Sequence, residues 1–189
     1  MHTTGLLLAA GAGRRMGTPK ALVSDDHGPW LTRAVHLLDD GGCDDVVVVL
    51  GASAPEAVRL LQVLEDTAGV EVVLADRWEE GMGASLDAGL AALDAGPAQA
   101  ALVSLVDLPD LVPEVVRRVR ASGDGPAALA RASYDGVPGH PVLIGREHWA
   151  GVRASAVGDQ GARDYLATRS VRLVECGDLA SGDDVDTPR

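Results

Sequence analysis

Two arginines and a lysine occupy a glycine-rich segment near the N-terminus, which reads LLLAAGAGRRMGTPKAL over residues 6–22. Glycines at positions 11 and 13 let backbone N–H groups approach an anion, because no Cβ stands in the way. Arg14 and Arg15 offer planar guanidinium groups that suit phosphate oxygens, and Lys20 adds a compact positive charge. The segment is predicted to bind a phosphate group, although a glycine-rich turn with surface arginines would account for the same residues.

The segment does not match the two most familiar phosphate-binding loops. A P-loop requires Gly-Lys-Ser/Thr, whereas Gly17 is followed here by Thr18 and Pro19. A dinucleotide-binding loop requires a third glycine at the position of Met16, and no acidic residue ends the second apolar run, VVVVL. Nucleotides that are held by those two loops are therefore disfavoured as ligands.

Carboxylates that could bind a metal ion occur in two places. Asp107 follows an apolar run in SLVDLPD, and Asp184 and Asp186 belong to the C-terminal SGDDVDTPR. Divalent cations prefer oxygen ligands and commonly bridge to substrate phosphates, and a cation relieves the repulsion between clustered carboxylates. A helix cap at Asp107 and a disordered acidic C-terminus are the alternatives that need no metal.

These segments lie between alternating strand and helix patterns. Continuous apolar runs predict strands at residues 5–10, 46–50, 70–75, 100–106, 127–132, 140–145 and 171–175. Apolar residues at helical spacing predict helices at residues 30–40, 53–66, 84–95, 113–122 and 159–169, the second of them capped by Ser53. This alternation predicts a parallel α/β sheet covered by helices, within a single domain that spans residues 1–189.

The predicted sheet indicates where a ligand would bind. In an open α/β sheet, ligands lie outside the carboxyl ends of the strands. That rule selects residues 11–20, 51–55, 76–85 and 107–110 as candidate ligand-binding segments. The glycine-rich segment and Asp107 are both among them, so we expect the two to share one edge of the sheet.

The composition disfavours several classes of protein. The chain of 189 residues carries a formal net charge of −12, whereas proteins that wrap nucleic acid hold the phosphate backbone mainly with Lys and Arg. Cys43 and Cys176 are too few for a disulfide framework or a four-thiolate zinc site. No apolar segment reaches the roughly 18 residues of a membrane helix, and the N-terminus lacks the basic region of a secretory leader. We expect no nucleic-acid or membrane partner and a cytoplasmic location.

The segment LAAGAGRRMGTPKAL resembles the signature loop of the nucleotidyltransferase superfamily, whose pattern is roughly L-A-x-G-x-x-x-R-M-G-x-x-K. Later segments resemble other motifs of that superfamily in the correct order, namely EEGMGASLDAGL, VSLVDLPDLVPEVV, GHPVLI, GDQGARDYL and DVDTP. The last three are similar to the molybdenum cofactor cytidylyltransferases, a branch of the MobA-like NTP transferase family. The resemblance implies a three-layer α/β/α architecture with a mostly parallel sheet, the Rossmann-like nucleotide-diphospho-sugar transferase fold.

The resemblance also implies roles for individual residues. Arg14, Lys20 and Asp107 match the catalytic positions, and His140 would face the acceptor substrate. Asp107, Asp184 and Asp186 would bind Mg²⁺. The positions that match the nucleotide-binding set are Leu8, Ala9, Ala10, Gly11, Gly13, Arg14, Lys20, Gly81 and Ser85.

The implied reaction transfers CMP from CTP to the phosphate of the molybdopterin (molybdenum) cofactor and releases pyrophosphate. The two alanines of LAAG and the GHPV segment favour this cytidylyl branch, and a transient contact with a molybdoenzyme is implied as well. GTP or another phosphate-bearing acceptor, such as a sugar phosphate, is the alternative within the same fold. A catalytically silent nucleotide-binding protein that escorts the cofactor is the alternative from a different class.

Overall fold

The architecture is a seven-stranded sheet flanked by helices in the computed structural model, which describes residues 1–62 and 69–186. In chain order the strands are β1 (Thr3–Ala9), β2 (Ser24–Asp25), β3 (Gly28–Pro29), β4 (Asp45–Leu50), β5 (Val70–Leu74), β6 (Ala100–Leu105), β7 (Leu129–Tyr134), β8 (Val137–Gly145) and β9 (Arg172–Glu175). The helices are α1 (Trp30–Asp40), α2 (Ala54–Leu61), α3 (Met82–Leu93), α4 (Pro113–Ala121), α5 (Arg146–Ser155) and α6 (Arg163–Ala167). Short 3-10 turns occur at Lys20–Leu22, Trp78–Glu80 and Gly158–Gln160.

The strands of the large sheet are mostly parallel, as expected. Their order is β5-β4-β1-β6-β8-β7-β9, and β2 pairs with β3 in a separate hairpin. β8 runs antiparallel to its neighbours β6 and β7, whereas the other neighbouring pairs are parallel. The carboxyl ends of β1, β4, β5 and β6 therefore open onto one edge of the sheet.

The core lies on both faces of the sheet. Leu6 and Leu7 are adjacent in β1 and both fully buried, although each points to the opposite face. Leu7 packs with α1, α2 and α4, whereas Leu6 packs with α3, α5 and α6. A strand that is covered on both faces needs a continuous apolar run, which is why alternation is absent from LLLA. The expected three-layer α/β/α architecture is thereby confirmed.

One prediction for helix α2 differs from the structure, and another falls partly outside the described residues. Ser53 does not cap this helix, since its φ is +54° and its side chain makes no capping hydrogen bond. Pro55 does lie in the first turn, where its missing N–H costs no helical hydrogen bond. Residues 63–66 of the predicted helix lie outside the described residues.

The second half of the chain departs further from its sequence pattern. The predicted helix at 159–169 is a 3-10 turn followed by α6, because Gly161 adopts a left-handed φ of +54° between them. The pattern also missed α5, whose buried residues Trp149 and Val152 are too few to show a helical repeat. In the described part of the chain, no helix is long and apolar enough to cross a membrane.

Candidate active site

Three segments that are distant in sequence meet at the carboxyl edge of the sheet. β1 and β6 are parallel neighbours, with Leu8 opposite Leu105, so the loops that follow them leave the sheet side by side. These loops contain the glycine-rich segment and Asp107. The C-terminal segment reaches the same edge, because the backbone N–H of Val185 donates to the carbonyl oxygen of Asp107 at 3.0 Å.

Lys20, the only lysine in the sequence, lies between carboxylates of the two other segments. It begins a 3-10 turn that the fully buried Ala21 fixes against the core. Its ammonium Nζ donates to Oδ2 of Asp107 and to Oδ1 of Asp186, the latter at 2.6 Å. Burial acts to lower the pKa of Lys20, but the hydrogen bonds and charges of both carboxylates outweigh burial and raise this pKa above its usual 10.5. The hydrogen bond and the charge of Lys20 in turn lower the pKa of Asp186.

The carboxylates at this edge form a group that suits a metal ion. Asp107, Asp184 and Asp186 each offer a carboxylate oxygen, and these oxygens lie within 4.8 Å of one another. Asp107 is buried, Asp186 is half-buried and Asp184 is exposed. Oxygen donors from both the sheet edge and a surface segment match the preferences of Mg²⁺ and Mn²⁺, which retain open positions for substrate phosphates.

The glycines of the signature segment serve different purposes. Gly13 has a φ of +58°, and a Cβ there would lie 1.9 Å from the carbonyl oxygen of Thr18, so the folded loop requires glycine. Gly11 has no positive φ, and a Cβ there would meet no atom within 4 Å. Since the fold does not require glycine at position 11, its open space is available to a ligand that approaches the backbone.

Arg15, rather than Arg14, contacts the acidic group. The guanidinium Nη1 of Arg15 donates to Oδ2 of Asp186 at 2.9 Å. Arg14 is exposed, and among the described residues its side chain forms no ion pair, so its phosphate-binding role stays a prediction. The signal for Arg15 was present in the sequence, because Arg15-Met16-Gly17 is the run that matches R-M-G of the signature pattern.

The first three predicted nucleotide-binding residues can contact a ligand only through their backbone. The side chains of Leu8, Ala9 and Ala10 lie in the core, with exposed fractions of 7%, 2% and 4%. The carbonyl oxygen of Ala10 accepts from the backbone N–H of Ala52 at 3.0 Å. Position 10 is therefore held against the loop that follows β4.

Gly81 and Ser85 lie at the start of α3, whose N-terminus faces the same edge of the sheet. Gly81 has a φ of +115°, and a Cβ there would lie 2.5 Å from the carbonyl carbon of Gly158. The side chain of Ser85 is buried in the first turn of the helix. The positive end of the helix dipole favours electronegative ligand groups at this place.

His140 lies beside the carboxyl end of β6. The antiparallel register brings Val142 opposite Val103, so the residues that precede Val142 run alongside the residues that lead to Asp107. The hydroxyl of Tyr134 donates to the carbonyl oxygen of His140 at 2.6 Å. Burial, with a smaller effect of the nearby Arg131 charge, lowers the pKa of His140 to about 4, so the imidazole is neutral at pH 7.

Asp110 is a residue of this edge that sequence reasoning missed. Its Oδ2 accepts hydrogen bonds from the backbone and the hydroxyl of Ser181 and from the backbone of Gly182. The acidic residue after Pro109 in SLVDLPD was the available signal, but its partners lie about 70 residues away in sequence. Only the folded chain shows that Asp110 holds the segment that carries Asp184 and Asp186.

Comparisons with known proteins show the family of this chain. The family model of the MobA-like NTP transferase domain matches residues 5–174. Nicotine blue oxidoreductase from Paenarthrobacter nicotinovorans is 38% identical over 194 residues, which cover 97% of this chain and 92% of that protein.

Solved structures show the same fold. The crystal structure of Rv0371c from Mycobacterium tuberculosis H37Rv has a TM-score of 0.78 and 30% identity, covering 99% of this chain and 94% of that chain. Its manganese complex has a TM-score of 0.74 and 27% identity, covering 98% and 94%. A nucleotidyl transferase from Methanothermobacter has a TM-score of 0.81 at 21% identity, covering 98% and 92%, and this likeness shows the fold alone.

These likenesses and the site lead to one assignment. The chain has the Rossmann-like nucleotide-diphospho-sugar transferase fold, in which a glycine-rich loop after β1 and an aspartate after β6 share one edge of a mostly parallel sheet. The family model covers nearly the whole described chain, from Gly5 to Val174. This protein belongs to the MobA-like NTP transferase family of nucleotidyltransferases.

Proposed function

We propose that this chain transfers CMP from CTP to the phosphate of the molybdopterin cofactor and releases pyrophosphate. The observation that supports the proposal most is the position of Lys20, whose ammonium contacts Asp107 and Asp186 beside an open glycine-rich loop. A cation that lies next to an oxygen-rich metal site can bind the leaving pyrophosphate while a metal ion occupies the carboxylates.

The chain's own residues would act by binding and by neutralising charge. The backbone at Gly11, which a Cβ would otherwise cover, receives the triphosphate. An oxygen of the acceptor phosphate then attacks the α-phosphorus in line, and the bond from this phosphorus to the pyrophosphate oxygen breaks. Lys20 and Arg15 offset the negative charge of the departing pyrophosphate. No covalent nucleophile from the chain takes part.

Asp107, Asp184 and Asp186 would hold the divalent cation, which is Mg²⁺ in this proposal. Their oxygens lie close enough together to share one ion, and Asp107 is fixed by its burial at the end of β6. When bound, the cation supplies Lewis-acid stabilisation of phosphate oxygens. Arg15 and Lys20 would then lose part of their contact with Asp186, and they would donate hydrogen bonds to triphosphate oxygens instead.

The choice of CTP and of a molybdopterin acceptor rests on the resemblance of LAAG and GHPV to the cytidylyl branch. The small side chains of Ala9 and Ala10 are buried in the core, so these residues would meet the base through their backbone. His140 is neutral at pH 7, so it would contact the acceptor as a hydrogen-bonding group rather than as a counter-charge. GTP with the same acceptor is the nearest alternative.

The test is pyrophosphate release from each of the four nucleoside triphosphates, with Mg²⁺ or Mn²⁺ and with molybdopterin or a sugar phosphate as acceptor. We expect release with CTP and molybdopterin, abolished in Asp107→Asn. Asp124→Asn is the control, because Asp124 is exposed in the loop before β7, at the opposite edge of the sheet. Release with another pair would reassign the base or acceptor, and nucleotide binding without any release would indicate a silent escort protein.

A second candidate function is reduction of an oxidised pigment, which the name of the relative at 38% identity suggests. The electron donor would be a nicotinamide dinucleotide whose pyrophosphate lies in the glycine-rich loop. Met16 in place of a third glycine argues against this ligand. Oxidation of NADH or NADPH in the presence of the pigment, without pyrophosphate release, would favour this function over nucleotidyl transfer.

A further inference from the structure

The carboxylate of Asp110 holds the C-terminal segment, defined here as residues 181–186, against the loop that follows β6. Its Oδ2 accepts from the backbone N–H of Ser181 at 2.7 Å and from the Ser181 hydroxyl at 2.7 Å. The backbone N–H of Gly182 adds a longer contact at 3.3 Å. One carboxylate oxygen therefore accepts three hydrogen bonds from two consecutive residues.

The loop that carries Asp110 is itself fixed in place. Leu108 and Leu111 are buried, with exposed fractions of 7% and 9%. The guanidinium of Arg33 donates to the carbonyl oxygen of Pro109 at 2.7 Å and to Asp25 Oδ2 at 2.8 Å. Because core packing and an arginine hold this loop, Asp110 is a fixed anchor rather than a mobile surface carboxylate.

The C-terminal segment continues from this anchor directly to Asp107. Gly182 has a φ of +68°, and a Cβ there would lie 2.1 Å from Cε2 of Tyr134, so the chain turns against the aromatic ring. Three residues later the backbone N–H of Val185 donates to the carbonyl oxygen of Asp107 at 3.0 Å. Asp184 lies between these two attachment points, and its carboxylate reaches the group that contains Asp107.

Such an anchor is needed because the three carboxylates repel one another. Lys20 and Arg15 both contact Asp186 and offset its charge. Within residues 1–62 and 69–186, Asp184 forms no ion pair. The position of Asp184 therefore depends on the path of the C-terminal segment.

We propose that Asp110 is a positioning residue, which holds Asp184 and Asp186 beside Asp107 so that the three can share a divalent cation. The inference rests on the metal-binding role that the proposed function gives to these three carboxylates. Asp110 is not one of the three carboxylates that would share the cation. Asp110 increases the affinity for the cation and keeps the backbone of residues 181–186 structurally ordered.

The experiment compares Mn²⁺ affinity, measured by calorimetry and by electron paramagnetic resonance, in the full-length protein and its variants. Asp110→Ala should lower the affinity by roughly 10- to 100-fold, as loss of an outer partner of a metal ligand does. Ser181→Ala removes one of the three hydrogen bonds to Asp110, together with the 3.2 Å bond that the hydroxyl accepts from the Asp183 N–H, and should give a smaller decrease. Asp178→Ala is the matched control, since it breaks the ion pair with Arg118 in the same C-terminal region and should leave the affinity unchanged.

Amide hydrogen exchange separates positioning from a direct role in metal binding. In Asp110→Ala, residues 181–186 should exchange faster even without metal, whereas Asp184→Asn should lose Mn²⁺ affinity and keep its protection. Unchanged Mn²⁺ affinity in Asp110→Ala, with normal binding by the unmodified protein, would overturn the role of Asp110 alone. No Mn²⁺ binding by the unmodified protein would overturn the proposed metal site, and with it this inference.

Discussion

Replacing Lys20 with methionine should destabilise the metal-free protein and strengthen its binding of a divalent cation. In the ligand-free protein, the Lys20 ammonium lies between the carboxylates of Asp107 and Asp186. Without it, three carboxylates remain within 4.8 Å of one another, and in the described part of the chain Arg15 is the remaining cation that contacts them. A divalent cation would then meet stronger attraction and no competing ammonium, so metal affinity should rise while turnover falls.

The size of the destabilisation follows from the exposure of each partner. The side chains of Lys20 and Asp107 are 19% and 11% exposed, whereas that of Asp186 is 40% exposed. A shielded hydrogen bond between charged groups contributes about 1.5–3 kcal/mol, and an exposed ion pair contributes less than about 1 kcal/mol. We expect a loss of about 2–3 kcal/mol in the free energy of unfolding, or roughly 5–10 °C in Tm for a domain of this size.

The assay measures thermal unfolding and Mn²⁺ titration of the unmodified protein, Lys20→Met and the control Lys20→Arg, which retains the charge. Saturating Mn²⁺ should remove most of the difference in Tm between Lys20→Met and the unmodified protein, because the cation replaces the ammonium. Turnover of Lys20→Met should fall about 100-fold or more, in line with loss of a group that stabilises transition-state charge. An unchanged Tm together with equal or weaker Mn²⁺ binding in Lys20→Met would refute the reasoning.

The raised pKa of Lys20 can be measured directly. Since Lys20 is the only lysine in the sequence, biosynthetic labelling with ¹³C/¹⁵N-lysine lets NMR follow this side chain alone and keeps all its N–H donors. The labelled ammonium should titrate above 10.5, because two carboxylates favour its charged form. Its contribution to stability is fully present below the pKa of the unfolded chain and is lost as the pH rises through the folded pKa. A titration below 10.5 would contradict the contacts with Asp107 and Asp186.

Three further predictions concern the rest of the site. Asp107→Asn should abolish turnover, weaken Mn²⁺ binding and lower the Tm of the metal-free protein, because it removes the shielded charge that Lys20 contacts. Retained turnover would exclude Asp107 as a metal ligand. Gly13→Ala should unfold at a lower temperature than Gly17→Ala, because position 17 also has a positive φ, of +71°, but its Cβ would lie in open space. Gly11→Ala should keep its Tm and lose nucleotide affinity. Acidification should destabilise the protein through His140 by up to about 3 kcal/mol, because its pKa is lowered and the unfolded chain binds the proton first. This loss should develop as the pH falls from 6.5 toward about 4. In His140→Asn, the free energy of unfolding from urea titrations should depend less on pH over this range. The same pH dependence in the variant and the unmodified protein would rule out a neutral imidazole in the fold.

Much of the fold was predictable because its strands carry their own signal. Runs such as LLLA in β1 and VVVVL in β4 are apolar without alternation, which is typical of parallel strands that are covered on both faces. The glycine-rich turn and Asp107 were also predictable as neighbours, since loops after parallel strands open onto one edge. The helix α5 was missed because its outward face is polar and only two of its residues are buried.

The site was predictable in kind and less so in detail. The pattern identified Lys20, Asp107 and Asp186, which the structure brings into contact. The residue types suggested both Arg14 and Arg15 as phosphate-binding groups, and the resemblance selected Arg14, whereas Arg15 is the arginine that reaches Asp186. Which of two adjacent arginines reaches Asp186 depends on the folded path of the loop and of the C-terminal segment, which sequence spacing does not reveal.

The sequence by itself determined the local elements and the chemistry of the site, because apolar periodicity and residue type act over short distances along the chain. It predicted that a glycine-rich loop and the carboxylate of Asp107 follow buried strands. Only the tertiary structure decided which of these groups meet. The contact between Lys20 and Asp186 joins residues that are 166 positions apart. The hydrogen bonds between Ser181 and Asp110 join residues that are 71 positions apart. Such contacts form only when core packing has fixed the order of the strands and the path of the C-terminal segment.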